Sequence, residues 1–274
     1  MNVGTHIPYN LGTSDNCHAC GKREGGFFCN LTERGLKALD QVSFLHSYPS
    51  GAVLFVEGQT PRGVYVICKG QAKLSVVSEE GRTLIIKIAG PGEVLGISSA
   101  VSGRPYEATV ETLGPCEVNF IRSADFRHLL QADADVCMHA ALQMSLQYNN
   151  ACRELRWVGL SRSADWRMAC LLLNWVEERG TPGPVPGFKM TLTHEEVAQM
   201  VGTTRETVTR VLARFRKQGF IQVRGATVLV YNMAALQHIA GKATVAHVAP
   251  ATAVTRVGTL RPTYGGAQLL EARP

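Results

Sequence analysis

Four side chains in the last third of the chain carry the chemistry of base recognition. In TTRETVTRVLARFRKQG (203–219), Arg205, Glu206, Thr209 and Arg210 fall at i, i+1, i+4 and i+5. On a helix these offsets share one N-terminal face, while Val208, Leu212 and Phe215 at i, i+4 and i+7 share the other. An Arg donates two hydrogen bonds to guanine O6 and N7, and a Glu accepts from a cytosine amine. Glu206 could instead complete a capping box with Thr203. A carboxylate aimed at DNA is repelled by phosphates unless it finds a base amine, so a Glu amid basic residues favours readout. Thr193, Thr204, Arg214, Arg216 and Lys217 are assigned to phosphates, contacts that position a protein without choosing a sequence.

A second set of residues suits metal chemistry. Cys17-His-Ala-Cys20, followed after eight residues by Cys29, gives three thiolates in a Gly-rich arm. A fourth can come from Cys116, which follows Leu113-Gly114-Pro115 and opens the run CEVNFI. Four sulfurs suit iron or a structural zinc. His18 in place of one sulfur would point to zinc or a 2Fe-2S cluster. Without Cys116, the three thiols are redox-reactive groups of an incomplete site. Of the eight cysteines, Cys68, Cys137, Cys152 and Cys170 lie in apolar patterns and are read as buried core.

Both sets need elements to hold them. Leu31 to Asp40 reads as a short helix with Thr32 as cap and Leu36 and Leu39 inward. From Ser43 to Arg122, apolar runs such as AVLFVEG, GVYVICKG, QAKLSVVSEEG, RTLIIKIAGPGE and CEVNFI are broken by glycines, the pattern of a small antiparallel barrel or jelly roll. SEEGR (78–82) reads as a hairpin turn. Ala124 to Trp157 has helical spacing, and some 30 residues of helix span roughly 45 Å. Such a helix packs on a dimer partner or lies across its own roll. A further helix occupies 164–178, and RGTPGPVPG (179–187) is a loop. THEEVAQMVG (193–202) opens with Thr193 and Glu196 in capping-box spacing. With the basic helix after it and the alternating FIQVRGATVLVYN, it describes a winged helix-turn-helix closed by a short helix, AALQHIAG.

The expected fold is α+β in five parts. They are a cysteine arm (1–30), a β-roll sensor domain (31–123), a dimerisation helix (124–158), a winged helix-turn-helix (159–241) and a tail without sustained period (242–274), expected to be disordered. Net charge is +6, and residues 188–241 alone carry seven basic against three acidic side chains, which favours a polyanionic partner. No apolar run approaches 18 residues, and the start lacks a basic stretch leading into an apolar core. A cytoplasmic protein without membrane contact is expected. HExxH, GxxxxGK[ST] and GxSxG are absent, so no enzyme is expected. Two rival readings stand beside a sensor that binds DNA: a regulator whose roll is a scaffold or takes a small effector, and a signalling module that does not bind DNA.

The order of Gly-punctuated roll, long helix and winged helix over residues 30–241 resembles the cyclic-AMP receptor protein and fumarate–nitrate reductase regulator (CRP/FNR) family. LTHEEVAQMVGTTRETVTRVLARFRKQGFI looks like its DNA-binding signature, and R-E-T-V-x-R matches the cyclic-AMP receptor branch. The resemblance implies that Arg205, Glu206 and Arg210 read a TGTGA-like half-site of double-stranded DNA. Each subunit of a homodimer would read one, with recognition helices about 34 Å apart. A transcription activator or a repressor both suit these residues, and exposed loops of the roll are the expected contact for RNA polymerase.

The branch's cyclic-phosphate pocket corresponds to PGEVLGISSAVSGRPYEATVETL. There Ile97, after Gly96, replaces the ribose-binding Glu, and Tyr106-Glu107 stand near the phosphate-binding Arg-Ser pair. Glu107 would repel a cyclic phosphate; Arg104 is near, but Pro105 offers no amide donor. A cyclic nucleotide is therefore disfavoured. The oxygen-sensing branch holds a 4Fe-4S cluster on three N-terminal cysteines and one in the roll, so Cys17, Cys20, Cys29 and Cys116 look like its ligands. The eight residues between Cys20 and Cys29 depart from that branch's usual five. Such a cluster would tie the arm to the roll beside the long helix, and its oxidative loss would shift dimerisation and DNA affinity.

Overall fold

The computed structural model describes residues 28–159, 163–180 and 185–241, so Cys17, Cys20 and the tail expected at 242–274 lie outside the described residues. The chain enters through Phe28 and Leu31, both buried, and forms α1 (Glu33–Val42). Thr32 caps α1 by accepting from Gly35 N–H, and Leu36 and Leu39 face inward.

Eight strands follow: β1 (Ser43–Tyr48), β2 (Val53–Phe55), β3 (Gly63–Lys69), β4 (Ala72–Val77), β5 (Thr83–Ala89), β6 (Val94–Leu95), then α2 (Ile97–Ser102), β7 (Thr109–Thr112) and β8 (Cys116–Arg122). They pair antiparallel in two four-stranded sheets, β1-β8-β3-β6 and β2-β7-β4-β5. Ile67, Ala72, Ala89, Val110 and Val118 fill the space between the sheets with an aromatic group, Phe55, Tyr65 and Tyr106. The SEEGR turn closes as expected, Ser78 N–H donating to Arg82 O and Gly81 taking φ +78°. The apolar runs named the strands, but α2 and the short β7 carried no pattern strong enough to separate them from loop.

The helix expected from Ala124 to Trp157 is two helices, α3 (Ser123–Ala132) and α4 (Ala134–Gly159). Asp133 between them is extended (φ −134°, ψ 112°), its N–H closing α3 on Leu129 O. Its Oδ1 accepts the N–H of Asp135 (3.0 Å) and Val136 (3.2 Å), an N-cap for α4. Asp133 is thus a start signal hidden inside a periodic pattern. Val136 and Ala140 of α4 pack on the roll with Phe28 and Phe126, whereas Met138, Met144 and Tyr148 are exposed.

The winged-helix part consists of α5 (Ala164–Arg179), β9 (Gly187–Lys189), α6 (His194–Val201), α7 (Arg205–Lys217), β10 (Ile221–Arg224), β11 (Thr227–Val230) and α8 (Met233–Ile239). The wing is three-stranded, β10-β11-β9, one strand more than the expected hairpin. Trp166 of α5 donates its indole N–H to Ala240 O (2.9 Å), tying the first helix to the last.

Candidate functional site

Helix α7 owes its position to its apolar face. Val208, Val211, Leu212 and Phe215 are all buried, and Phe215 packs against Phe220 with ring centroids 5.9 Å apart. That leaves Arg205, Glu206, Thr209 and Arg210 together on the exposed N-terminal face. Thr204 is the N-cap and accepts from Thr207 N–H, so the third helical residue is a threonine and the capping box of Glu206 with Thr203 does not form. The Glu206 carboxyl is held below the ordinary carboxylate range by its own backbone N–H and the Thr204 hydroxyl, so it is ionised and can only accept. Thr209 Oγ1 lies 3.0 Å from Arg205 O and 2.9 Å from His194 Nδ1, a link to the first residue of α6.

The residues assigned to phosphates are exposed as well, but not equally free. Arg216 and Lys217 extend from the last turn of α7. Arg214 is ion-paired with Asp165 of α5. Thr193 caps α6 in a complete capping box: its Oγ1 accepts Glu196 N–H, and Glu196 Oε2 accepts Thr193 N–H (2.9 Å). Burial alone would raise the Glu196 carboxyl. Hydrogen bonds from Thr193 and the nearby Lys73 ammonium overcome this and hold it below its ordinary value.

In the roll, α2 lies within the stretch that corresponds to the expected phosphate pocket. Gly96 precedes it at φ +78°, and a Cβ there would stand 2.9 Å from the Tyr106 ring. Ile97 is fully buried in the core beneath α3. Tyr106 stacks on Phe55 at 4.0 Å; its hydroxyl donates to Gly63 O (2.7 Å) and accepts the N–H of Arg62 and Gly63 (both 3.1 Å). Glu107 accepts from Ser98 Oγ at 2.7 Å, so a carboxylate already uses the hydroxyl on the first turn of α2.

The cysteines are dispersed among the described residues. Cys29 is half-buried beside Phe28, whose ring meets Phe126 of α3 edge-on at 6.1 Å. Three residues on, Thr32 N–H donates to Asp135 Oδ2 of α4 (2.8 Å). Cys116 opens β8 at the end remote from α3, 1% exposed, with Sγ 3.2 Å from Gln71 O. Burial raises its thiol pKa, against hydrogen bonds to Gln71 and Gly114 that lower it. Gly70 abuts it so closely that a Cβ there would lie 2.5 Å from Sγ. Among the described residues, no three His, Cys, Asp or Glu side chains converge on a metal-sized site. Of the cysteines read as core, Cys137 is exposed, and Cys68, Cys152 and Cys170 are half-buried, a correction to that reading. Cys137 lies on the outer face of α4, in a shallow apolar groove with Leu130, Ala134, Met138 and Ala141.

Comparison with known proteins agrees with this layout. Residues 45–133 match the cyclic nucleotide-binding domain model and 167–239 the Crp-like helix-turn-helix domain model. The cAMP-activated global transcriptional regulator CRP of Pasteurella multocida is 29% identical over 189 residues, 69% of this chain and 90% of that one. Regulatory protein HlyX of Actinobacillus pleuropneumoniae is 24% identical over 222 residues, 80% of this chain and 91% of that one. Among solved structures, FixK2 from Bradyrhizobium japonicum shares the fold with TM-score 0.65 at 20% identity, covering 72% of this chain and 97% of its own. No described helix is long and apolar enough to cross a membrane. With a roll, a winged helix and an exposed basic helix face in the family's order, the chain belongs to the CRP/FNR family, which is one of DNA-binding transcription regulators and not of enzymes.

Proposed function

We propose that two copies of this chain read a TGTGA-like palindrome, Arg205, Glu206, Thr209 and Arg210 of each touching base edges in one half-site. The observation that carries the reading is the division of α7: four buried apolar side chains fix the helix, and Arg205, Glu206, Thr209 and Arg210 are exposed together at its N-terminal end. Arg216 and Lys217 take phosphates, joined by Thr193, Thr204 and Arg214 once DNA competes for their present partners. The exposed Met138, Met144 and Tyr148 and the groove around Cys137 support α4 as the face that meets the second copy. RNA polymerase is the further partner of an activator. Selection of bound duplexes from a random pool tests the reading: enrichment of TGTGA half-sites with two-fold symmetry is expected, and any unrelated consensus overturns it.

The regulatory half of the proposal is an oxygen- or redox-sensitive iron–sulfur cluster, of 4Fe-4S type, on Cys17, Cys20, Cys29 and Cys116. Support comes from the CxxC pair, the third thiol and the seat of Cys29. Residues 28–32 touch α3 and α4 directly, so whatever grips Cys29 is mechanically close to the start of the dimer helix. Cys116 does not fit a ligand role as it stands, being buried, with its thiol pKa raised by that burial, and bonded to the Gln71 carbonyl. Anoxic purification with iron, sulfide, zinc and visible absorbance per chain decides. About four irons and four sulfides are expected for such a cluster. Zinc without a visible band makes the site a structural clamp, and neither metal overturns the cluster.

A second reading, control by a cyclic nucleotide, is favoured by the domain match over residues 45–133 and by relatives named for cAMP activation. Tyr106 and Glu107 weigh against it, since a stacked ring and a carboxylate stand near the expected phosphate site. Titration of cAMP into the protein, followed by heat release, separates the two: no binding is expected, and saturable one-per-chain binding makes the second reading the right one.

A further inference from the structure

A roll standing alone has no reason to carry isoleucines on its outer face. In the sheet β2-β7-β4-β5, Lys73 stands opposite both Ile88 and Glu111, and Ser75 opposite both Ile85 and Thr109. Side chains of directly opposed residues share a face, so these groups line one side. Ala72, Ala89 and Val110 fill the roll from the other side. Ile85 and Ile88 are three apart, and a regular strand would send them to opposite faces. The pairing jumps from Leu74↔Lys87 to Ser75↔Ile85, so Ile86 is an unpaired bulge that brings both to the same side. They are 2% and 8% exposed, and their cover is the winged helix: β5 packs on α6, and both isoleucines belong to the core that contains Val197, Val201 and Val208.

The apolar seam has a charged clasp. Lys73 Nζ lies 3.2 Å from Glu111 Oε1 of the roll and 3.4 Å from Glu196 Oε1 of α6, with its side chain only 19% exposed. Glu196 meanwhile uses Oε2 to cap α6 at Thr193. One carboxylate therefore both caps the start of the helix preceding α7 and ties that helix to β4. The reading face of α7 stays exposed in this docked arrangement.

We propose that Lys73 is a positioning residue for DNA reading: with Ile85 and Ile88 it holds the winged helix in one orientation against its own roll, without touching DNA. Released from the clasp, only a fraction of molecules presents α7 correctly, and the apparent Kd rises by the inverse of that fraction. The inference rests on α7 as the DNA-reading helix.

The test compares full-length wild type, Lys73→Met, Glu196→Gln and the double variant on a duplex that the wild type has itself selected, with amide hydrogen exchange as second readout. Gln at the third helical position keeps the capping box, so Glu196→Gln removes the clasp while α6 persists. Each single variant is expected to bind about five- to tenfold more weakly at unchanged salt slope, with the double variant no weaker than either. Amides of β5 and α6 are expected to exchange faster in all three. Wild-type affinity in the single variants, additive losses, or tighter binding each overturn the proposal. So does a salt slope lowered by about one, the mark of a phosphate contact. Arg205→Ala serves as control: losing the duplex while keeping wild-type exchange in β5 and α6 ties DNA reading to α7. Retained binding by that variant defeats the reading on which the inference rests, and the exchange data still report whether the clasp exists.

Discussion

Helices α2 and α7 each follow a break in regular backbone, left-handed Gly96 before the first and extended Thr204 before the second, and their polar groups have different fates. At α7 the local needs of the helix are met by Thr204 and Glu206, which bond each other and the first backbone N–H groups, while Arg205 and Arg210 stay exposed at the surface. At α2 the neighbouring groups are consumed internally: Tyr106 by three backbone partners, Ser98 by Glu107, and Ile97 by the core. A surface that recognises something must keep hydrogen-bonding capacity in reserve, because a satisfied group has little left to offer a ligand. By that criterion the exposed end of α7 keeps more capacity for a partner than the groups around α2 do.

The comparison breaks most visibly if the buried side of α7 is attacked. Phe215→Ala should cost about 3–5 kcal/mol of stability, measured by denaturant unfolding, and should remove DNA binding together with the fold. Arg205→Ala should do the reverse. Unfolding should stay at wild type while binding to the preferred duplex weakens by about 1–3 kcal/mol, a loss that disappears on duplexes altered at the base it reads. At the other helix, Tyr106→Phe should destabilise by about 1–3 kcal/mol, because the N–H of Arg62 and Gly63 lose their acceptor in a buried setting. If α2 still served a ligand, that variant would change effector binding more than stability.

The smallest effect concerns pH. The Glu196 carboxyl is lowered on folding, so its stabilisation is fully present above the unfolded value of about 4.3 and is lost as pH falls through the lower folded value. The stability difference between wild type and Glu196→Gln should accordingly shrink on acidification below about pH 4 and stay constant through neutrality. Melting curves of both proteins across that range would measure it.

Local chemistry was the legible part of this chain. Thr193 with Glu196, Thr32 before α1 and the SEEGR turn all act through neighbours a few residues away, so spacing alone announced them. Val208, Leu212 and Phe215 announced the buried side of α7 in the same manner. Asp133 was legible in principle, since an aspartate followed by a fresh helical start is a cap, but the apolar period running through it masked the break. Cys137 misled because a small apolar residue on a helix looks the same whether its stripe faces the roll or a partner. The seam at Ile85 and Ile88 could not be read at all. RTLIIKIAG is a continuous apolar run, and which of its residues face outward is decided by an unpaired residue and by an element a hundred positions away.

That unpaired residue, Ile86, gives the strand one position it can lose without changing which side its neighbours face. Deleting it would restore a regular strand in which Ile85 and Ile88 stand two positions apart, still on the same side. The variant would keep almost all of its composition and every residue of the recognition helix. It would also keep the seat on which that helix rests, whereas losing Lys87 as well would make the two isoleucines neighbours on opposite sides and send one of them into the roll.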